Sequence, residues 1–162
     1  MRKKVLVAQS GGPTVAINAS LAGVIAGVAQ SGDYEVFGAA NGIKGVLDEN
    51  FINLSEFRED VKNGKESVSE IKISQPDGTF DTWSPKSMID RLAITPSMYL
   101  GSCRYKLPSV EEGAEVYEKI FSILDKNDIG MFFYIGGNDS MDTVNKLSTY
   151  GRSIDSDIRF AG

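Results

Sequence analysis

Residues 136–140 combine the backbone freedom and the side chains that phosphate chemistry requires, in the order Gly-Gly-Asn-Asp-Ser. They follow an apolar run that ends at Ile135 and precede a predicted helix from Met141 to Tyr150. Glycines let backbone N–H groups approach an anion, and a helix N-terminus adds a favourable dipole. Asp139 and Ser140 add a carboxylate and a hydroxyl, which a polyphosphate with Mg²⁺ can use. Because paired glycines also end strands in ordinary turns, a plain turn stays open for this segment alone.

Two other segments place candidate phosphate ligands near predicted strand ends. Ser10-Gly11-Gly12 follows the predicted buried strand Lys4 to Gln9. Residues 100–105 carry Arg104, whose guanidinium can bind a phosphate through two hydrogen bonds. In a parallel α/β sheet, ligands bind outside the carboxyl ends of the strands. We therefore expect Gly11 and Gly12 to lie close to the turn at 136–140.

These candidate ligands also have plain structural interpretations. Gly11 and Gly12 are equally typical of a simple strand-to-helix turn. Arg104 is an ordinary surface residue if it pairs with Glu111 or Glu112. The phosphate-site hypothesis therefore depends on these segments meeting in space.

Composition limits the classes of function. The chain has 162 residues, enough for one domain with a core, and a net charge of −5 without a basic run, which argues against nonspecific nucleic-acid binding. With no histidine and one cysteine, Cys103, a structural zinc site is disfavoured and Ser-His-Asp or Cys-His catalysis is excluded. No apolar run is long enough to span a bilayer, and a lone cysteine suits a reducing compartment. We expect a cytoplasmic protein without membrane or nucleic-acid partners, in which proton transfer uses carboxylates or lysines.

Strands and helices alternate along the chain, which predicts an α/β fold, a three-layer Rossmann-like sandwich with a mainly parallel sheet. Predicted strands cover 4–9, 34–39, 131–135 and 158–161, and predicted helices cover 16–30, 110–127 and 141–150, the last ended by Gly151. Gly23 and Gly27 are predicted to let the first helix pack closely on the sheet. A glycine-rich loop is predicted at 41–45, and a hairpin around Pro76-Asp77-Gly78.

Three motifs resemble the phosphofructokinase family. Residues 7–13, VAQSGGP, followed by Asn18-Ala19, are similar to its opening motif. Residues 100–105, LGSCRY, resemble its Gly-Ser-x-Arg segment, and residues 135–140 resemble its Gly-Gly-Asp-Gly-Ser or Gly-Gly-Asp-Asp-Ser segment. Their order and spacing agree with the family across nearly the whole chain. Only residues 56–96 have no clear counterpart.

The resemblance implies phosphoryl transfer to the 1-hydroxyl of fructose 6-phosphate in glycolysis, with Mg²⁺ as the cofactor and pyrophosphate or ATP as the donor. Gly11 would give a backbone N–H to the donor, and Arg104 would bind donor phosphate and balance charge in the transition state. Such chemistry needs mainly positioning and charge neutralisation. The implied donor-binding set is Gly11, Gly12, Arg104, Tyr105, Gly137, Asn138, Asp139 and Ser140, with Asn138 and Asp139 as candidate metal ligands.

Departures from the family pattern bear on the identity of the donor. ATP-using members typically have glycine at the position of Asp139, where a carboxylate would repel the nucleotide α-phosphate. Ile43 stands at a loop position where an aromatic ring often stacks on adenine, and isoleucine cannot stack in that way. Both departures favour pyrophosphate. Asn138 replaces the aspartate usually assigned to Mg²⁺, so Asp139 or the phosphates of the donor are the alternative metal ligands.

Residues 1–162 are expected to form the N-terminal donor-binding domain of a longer chain, with a loop or hairpin excursion at 56–96. The resemblance implies that the catalytic base lies beyond Gly162, in a Thr-Ile-Asp-Asn-Asp-like segment that this sequence does not contain. No residue of this sequence is therefore predicted to be catalytic. We expect no phosphotransferase activity from these residues alone, and a homo-oligomer for the full-length enzyme. A noncatalytic phosphate-binding module of flavodoxin-like architecture and another glycine-motif kinase, such as an NAD or lipid kinase, remain alternatives.

Overall fold

The strands form one five-stranded sheet and a separate hairpin in the computed structural model, which describes residues 3–32, 34–57, 71–83 and 87–162. The strands are β1 (Lys4–Gln9), β2 (Glu35–Ala39), β3 (Phe51–Asn53), β4 (Ile71–Ser74), β5 (Phe80–Trp83), β6 (Ile129–Ile135) and β7 (Arg159–Ala161). The sheet has the order β3-β2-β1-β6-β7, and of these strands β3 alone pairs antiparallel with its neighbour. The central strand β1 thus has parallel partners on both sides.

Helices cover both faces of this sheet. They are α1 (Ile17–Ser31), α2 (Gly42–Leu47), α3 (Met88–Ile94), α4 (Val110–Lys126) and α5 (Asn138–Ser153). Alternate residues of β1 point to opposite faces, so Val5 and Val7 join a core with α1 and α3, whereas Leu6 and Ala8 join a core with the other helices. A strand buried on both faces reads as a continuous apolar run, which is why β1 could be predicted. The predicted three-layer α/β sandwich with a mainly parallel sheet is confirmed.

The helix that follows β6 differs from the prediction at both ends. It begins at Asn138 rather than Met141, and it continues past Gly151 to Ser153. Gly151 is buried, and a Cβ at this position would lie 3.1 Å from the ring of Phe121 on α4. This glycine therefore serves helix packing and does not end the helix.

The glycine-rich segment at 41–45 is also not the predicted loop. It enters α2, and Ile43 and Val46 on this helix are fully buried in the core. Tertiary burial of these two side chains outweighs the turn-like composition around them.

The close packing predicted for Gly23 and Gly27 is wrong. A Cβ at either position would meet nothing within 4 Å, and both residues line a cavity of about 520 Å³ beside Val5, Met131 and Phe133.

The excursion predicted at 56–96 is described only in part, because residues 58–70 and 84–86 lie outside the described ranges. The hairpin predicted around Pro76-Asp77-Gly78 is confirmed: β4 and β5 pair antiparallel, and Gln75 N–H donates to Thr79 O at 2.8 Å. None of the helices in the described ranges is long and apolar enough to cross a membrane.

Candidate phosphate-binding site

The turns that follow β1 and β6 lie side by side at the carboxyl edge of the sheet. Ser10 N–H donates a hydrogen bond to Ile135 O at 2.9 Å, which continues the pairing of the two strands into their turns. Gly11 has a φ of +84°, a backbone conformation that favours glycine, and a Cβ on it would lie 3.7 Å from the backbone nitrogen of Gly137. The predicted proximity of the two glycine turns is confirmed.

Gly136 fills a position with no room for a side chain. A Cβ there would collide with the hydroxyl of Ser140 and lie 2.9 Å from Ser10 O. The Ser140 side chain lies against Gly136 and is 2% exposed, although the residue still borders the cavity described below. The tight contact among Ser10, Gly136 and Ser140 holds the two turns at a fixed separation.

The start of α5 points its backbone N–H groups toward this edge of the sheet. Gly137 is the N-cap residue and has no side chain to bond them, and its carbonyl accepts from the N–H groups of Ser140 and Met141 at 3.0 and 3.1 Å. The first N–H groups of a helix have no partner within it, and the helix dipole favours an anion there. Asn138 and Asp139 occupy the first turn, with both side chains exposed.

Residues 101–106 approach the same edge without regular secondary structure. They are held at both ends, because Leu100 N–H donates to the side chain of Gln9 at 2.8 Å and Lys146 Nζ donates to Leu107 O at 3.0 Å. Between these points Arg104 and Lys106 are exposed. The placement of residues 101–106 therefore depends on these two hydrogen bonds.

Arg104 does not pair with the carboxylates suggested as its alternative partners. The ion pairs of the described ranges include none from Arg104 to Glu111 or Glu112. Glu111 instead accepts hydrogen bonds from its own backbone N–H and from the Ser109 side chain, which lower the pKa of the Glu111 carboxyl. The guanidinium is thus available to a ligand.

These three segments enclose one cavity of about 780 Å³. Every residue in the predicted donor-binding set lines it: Gly11, Gly12, Arg104, Tyr105, Gly137, Asn138, Asp139 and Ser140. The lining also includes residues that the prediction missed, namely Ser10, Ser102, Cys103 and Lys106. Lys106 could have been found, because it lies two positions after Arg104 in an irregular segment.

Gly162, beyond which the catalytic base was predicted, lies outside this lining. It directly follows β7, and a Cβ on it would collide with the side chain of Met141 on α5 and lie 3.2 Å from Tyr134 O. Gly162 is therefore a packing residue beside the start of α5 and not a ligand of the cavity. Because β7 runs parallel to β6, the chain reaches Gly162 at the same edge of the sheet as the glycine turns. The position of the base beyond Gly162 stays a prediction.

The charges of the lining suit a phosphate ligand. Arg104 and Lys106 are cationic, and Asp139 is the one carboxylate among the lining residues. Together with the N-terminus of α5, the two cations give the cavity a positive balance that favours a polyanion.

Similarity to known proteins identifies the family. The family model described as phosphofructokinase matches residues 4–160, nearly the whole chain. The chain belongs to the phosphofructokinase family. Each of the three motifs that resemble this family in sequence contributes residues to the lining of the cavity.

Individual relatives agree with the family. The chain is 39% identical over 148 residues to the pyrophosphate–fructose 6-phosphate 1-phosphotransferase of Xanthomonas campestris pv. campestris, a match that covers 91% of the chain and 29% of the relative. It is 35% identical to the protein of the same name from Rhodospirillum rubrum, covering 96% of the chain and 31% of the relative. The crystal structure of pyrophosphate-dependent phosphofructokinase from Nitrosospira multiformis aligns with 98% of the chain and 32% of that protein at 34% identity and a TM-score of 0.71. The chain thus spans less than a third of these relatives' length.

Ile43 lies outside the lining of the cavity. It was predicted at a loop position that stacks on adenine, but its side chain is fully buried on α2 and does not line the cavity. The lack of an aromatic ring at residue 43 therefore carries no argument about the donor.

Tyr134 ties α2 to the floor of the site. Its hydroxyl accepts from Ile43 N–H at 3.4 Å and is hydrogen-bonded to the side chain of Ser10. Burial raises the pKa of Tyr134, against the smaller opposing effect of the bond to Ser10. A neutral tyrosine thus links β6, α2 and the turn after β1.

Protein groups for a metal ion are few at this site. The described residues contain no group of three or more histidine, cysteine, aspartate or glutamate side chains placed to hold a metal. The neighbouring side chains of Asn138 and Asp139 offer amide and carboxylate oxygens, which are Mg²⁺ ligands in kind. Mg²⁺ fits this site only if phosphates of a ligand supply further oxygens, as is usual for Mg²⁺ bound with phosphates.

Proposed function

We propose that this chain is the phosphoryl-donor-binding part of a pyrophosphate-dependent 6-phosphofructokinase. In the whole protein the phosphoryl group would pass from pyrophosphate to the 1-hydroxyl of fructose 6-phosphate. Support comes from the family, from the names of the relatives and from a cavity lined by glycine turns and two cations. The acceptor sugar and the reaction are proposals for the whole protein. This chain spans less than a third of the length of its relatives.

The position of Asp139 is the observation that favours pyrophosphate as the donor. Its side chain is exposed in the first turn of α5 and borders the cavity beside Gly137. ATP has a third phosphate and a nucleoside beyond the two phosphates that pyrophosphate shares with it. A carboxylate beside that third phosphate weakens the binding of ATP through like-charge repulsion. Pyrophosphate has no third phosphate and avoids this repulsion.

The cavity residues have separate tasks in this proposal. The N–H groups at Gly11 and at the start of α5 bind phosphate oxygens, and Arg104 forms a charge-assisted pair with them. Lys106 adds a second cation near the donor. Because phosphoryl transfer needs mainly alignment and charge neutralisation, these groups suffice for the donor half of the reaction.

Mg²⁺ is the proposed cofactor, held by Asn138 and Asp139 together with oxygens of the donor. When bound, it would neutralise charge on the pyrophosphate. Asp139 then has two effects in one position, since it attracts the metal and repels a further phosphate. No lining residue is assigned as the catalytic base, because Asp139, the single carboxylate among the lining residues, is assigned to donor and metal binding.

Replacement of Asp139 tests the donor assignment. We expect the wild-type chain to bind pyrophosphate with Mg²⁺ at least about tenfold more tightly than ATP in calorimetric titrations. Asp139→Gly removes the charge and the side chain, and should narrow that ratio by about tenfold through tighter ATP binding. Asp155→Asn is the matched control, because Asp155 is an exposed carboxylate that follows the same helix and does not line the cavity.

The control should keep the wild-type ratio of the two affinities. An unchanged ratio in Asp139→Gly, or a wild-type chain that prefers ATP, would contradict the assignment to pyrophosphate.

A further inference from the structure

Gln9 is a buried amide whose hydrogen bonds join three parts of the chain. It is the last residue of β1 and is 0% exposed. Its Nε2 donates to Ile17 O at 3.0 Å and to Asn18 Oδ1 at 3.1 Å, and its Oε1 accepts from Leu100 N–H at 2.8 Å. Both amide hydrogens and the amide oxygen are therefore used. Buried polar groups that are fully bonded fix the relative position of the elements they join.

Asn18 extends this network along the segment that precedes the site. Its Nδ2 donates to Thr95 O at 3.0 Å, and its Oδ1 also accepts from Tyr99 N–H at 2.8 Å. The Asn18 side chain is 2% exposed, whereas its backbone partners Thr95 and Tyr99 are exposed residues. The two amides hold residues 95–100 against the beginning of α1.

Within the described residues, the bond from Gln9 to Leu100 is the last side-chain hydrogen bond before Arg104 along the chain. Leu100 O accepts from Asn41 N–H at 2.7 Å, after which residues 101–106 continue without regular structure. Arg104 makes no salt bridge with any residue that the structure describes, so no ion pair fixes its guanidinium before a ligand binds. Arg104 lies between the anchors at Leu100 and Leu107, so the bond from Gln9 to Leu100 sets one of the two limits on its position.

We propose that Gln9 is a positioning residue for donor binding, acting through Leu100 to hold Arg104 over the glycine turns. Gln9 directly precedes Ser10 and Gly11, so one amide sets the distance between the β1 turn and the Arg104 segment. This inference rests on the proposed function in one respect, namely that the anion bound there is the phosphoryl donor. The positioning itself is a property of the protein without ligand.

Gln9→Met tests the inference, because methionine has a similar length but cannot make these hydrogen bonds. Amide hydrogen exchange without ligand should become at least about tenfold faster at Leu100 and Gly101, whose N–H groups are hydrogen-bonded to Gln9 Oε1 and Met98 O, while α4 and β6 keep their wild-type rates. The dissociation constant for inorganic pyrophosphate with Mg²⁺ should rise about tenfold, the loss expected for a misplaced charge-assisted contact.

A double-mutant cycle separates positioning from general destabilisation. In an Arg104→Met background, Gln9→Met should change pyrophosphate affinity by less than about twofold, because the group it positions is already gone. Val28→Ala, a core position near the end of α1 farthest from Asn18, is the control for lost stability. It should leave exchange at Leu100 and Gly101 and pyrophosphate affinity unchanged. If Gln9→Met does not fold, Asn18→Ala removes the Asn18 bonds to Tyr99 N–H and to Gln9 Nε2, and should speed exchange at Tyr99 and, through the loosened Gln9 side chain, at Leu100.

The outcomes distinguish this inference from the proposed function. Unchanged exchange at Leu100 and Gly101 in a folded variant overturns the positioning role, whatever the ligand. An equal loss of affinity with and without Arg104 overturns it as well. A wild-type chain that does not bind pyrophosphate contradicts the proposed function, while the exchange measurement still decides whether Gln9 orders the Arg104 segment.

Discussion

Two glycine pairs in this chain, one adjacent and one spaced four residues apart, have opposite surroundings. Gly136 and Gly137 follow β6, and a Cβ on Gly136 would collide with Ser140. Gly23 and Gly27 lie on α1, where a Cβ would meet nothing within 4 Å. The sequence suggested a close approach at both pairs, to an anion at the first and to the sheet at the second, but of the four positions only Gly136 has a protein neighbour within 4 Å of an added Cβ. A glycine permits close packing, and whether packing occurs is decided by the element that faces it.

The largest expected effect comes from adding one methyl group at the packed position. Gly136→Ala should cost about 1–3 kcal/mol of unfolding free energy, because the new Cβ overlaps the Ser140 side chain and Ser10 O. The turn must shift to relieve this overlap, and a displacement of about 1 Å can cost about 100-fold in a site that depends on alignment. Urea unfolding and pyrophosphate titration measure the two effects.

Gly137→Ala is the neighbouring comparison for this prediction. A Cβ there would meet nothing within 4 Å, so the loss should stay at or below about 1 kcal/mol, the cost of a poorer N-cap residue. Equal losses of unfolding free energy in the two variants would show that Gly136 is not packed as described.

Arg104→Met should give the next largest effect, confined to ligand binding. We expect pyrophosphate affinity to fall about 10- to 100-fold, the range for a lost hydrogen bond to a charged group. Unfolding free energy should be unchanged, because Arg104 forms no salt bridge within the described part of the chain. Calorimetric titration and urea unfolding of the same preparation check this. A loss of stability equal to the loss of binding would mean that Arg104 has a structural role.

Gly27→Ala tests the open pair on α1. The helix interior should gain about 0.5–1 kcal/mol of stability, because alanine restricts the unfolded chain and the methyl group enters open space. Pyrophosphate affinity should not change, since this position does not line the phosphate-binding cavity. Thermal unfolding gives the sign of the effect, and destabilisation would show that another group occupies the space beside α1.

Tyr134→Phe should have the smallest effect at neutral pH and a distinct one in alkali. Burial raises the pKa of Tyr134, so the unfolded chain releases the phenolic proton at a lower pH than the folded chain. The stabilisation from the buried neutral phenol is complete at pH values below the pKa of Tyr134 in the unfolded chain. It is lost as the pH rises through the pKa of Tyr134 in the folded chain. Between pH 8 and 11, around the reference tyrosine pKa of about 10, the free energy of unfolding should fall less steeply with pH in Tyr134→Phe than in wild type. Parallel curves would contradict this.

The sequence predicted those parts of the site that depend on local patterns. Gly11 and Gly137 follow buried apolar strands and precede helices, and the parallel sheet brings their turns together. Arg104 was found through its motif. The same logic extends to Lys106, which the prediction missed although it lies in the same irregular segment.

Features that depend on distant partners could not be predicted. The bond between Leu100 and Gln9 joins positions separated by 91 residues, and nothing in a strand-ending glutamine indicates it. Gly151 was interpreted as a helix end because its contact with Phe121 belongs to another helix. Ile43 was placed in a loop because nearby glycines favour turns, whereas burial of the side chain decides its conformation.

The most direct test of the account is to map pyrophosphate binding onto individual backbone amides by NMR titration with Mg²⁺. We predict saturable shifts at Gly11, Gly137 and Asp139, no shifts at Gly23 or Gly27, and weaker changes when ATP is added at the same concentration. Saturable shifts confined to the cavity that Gly23 and Gly27 line would contradict the account. Larger shifts with ATP than with pyrophosphate at Gly11 and Gly137 would contradict it as well.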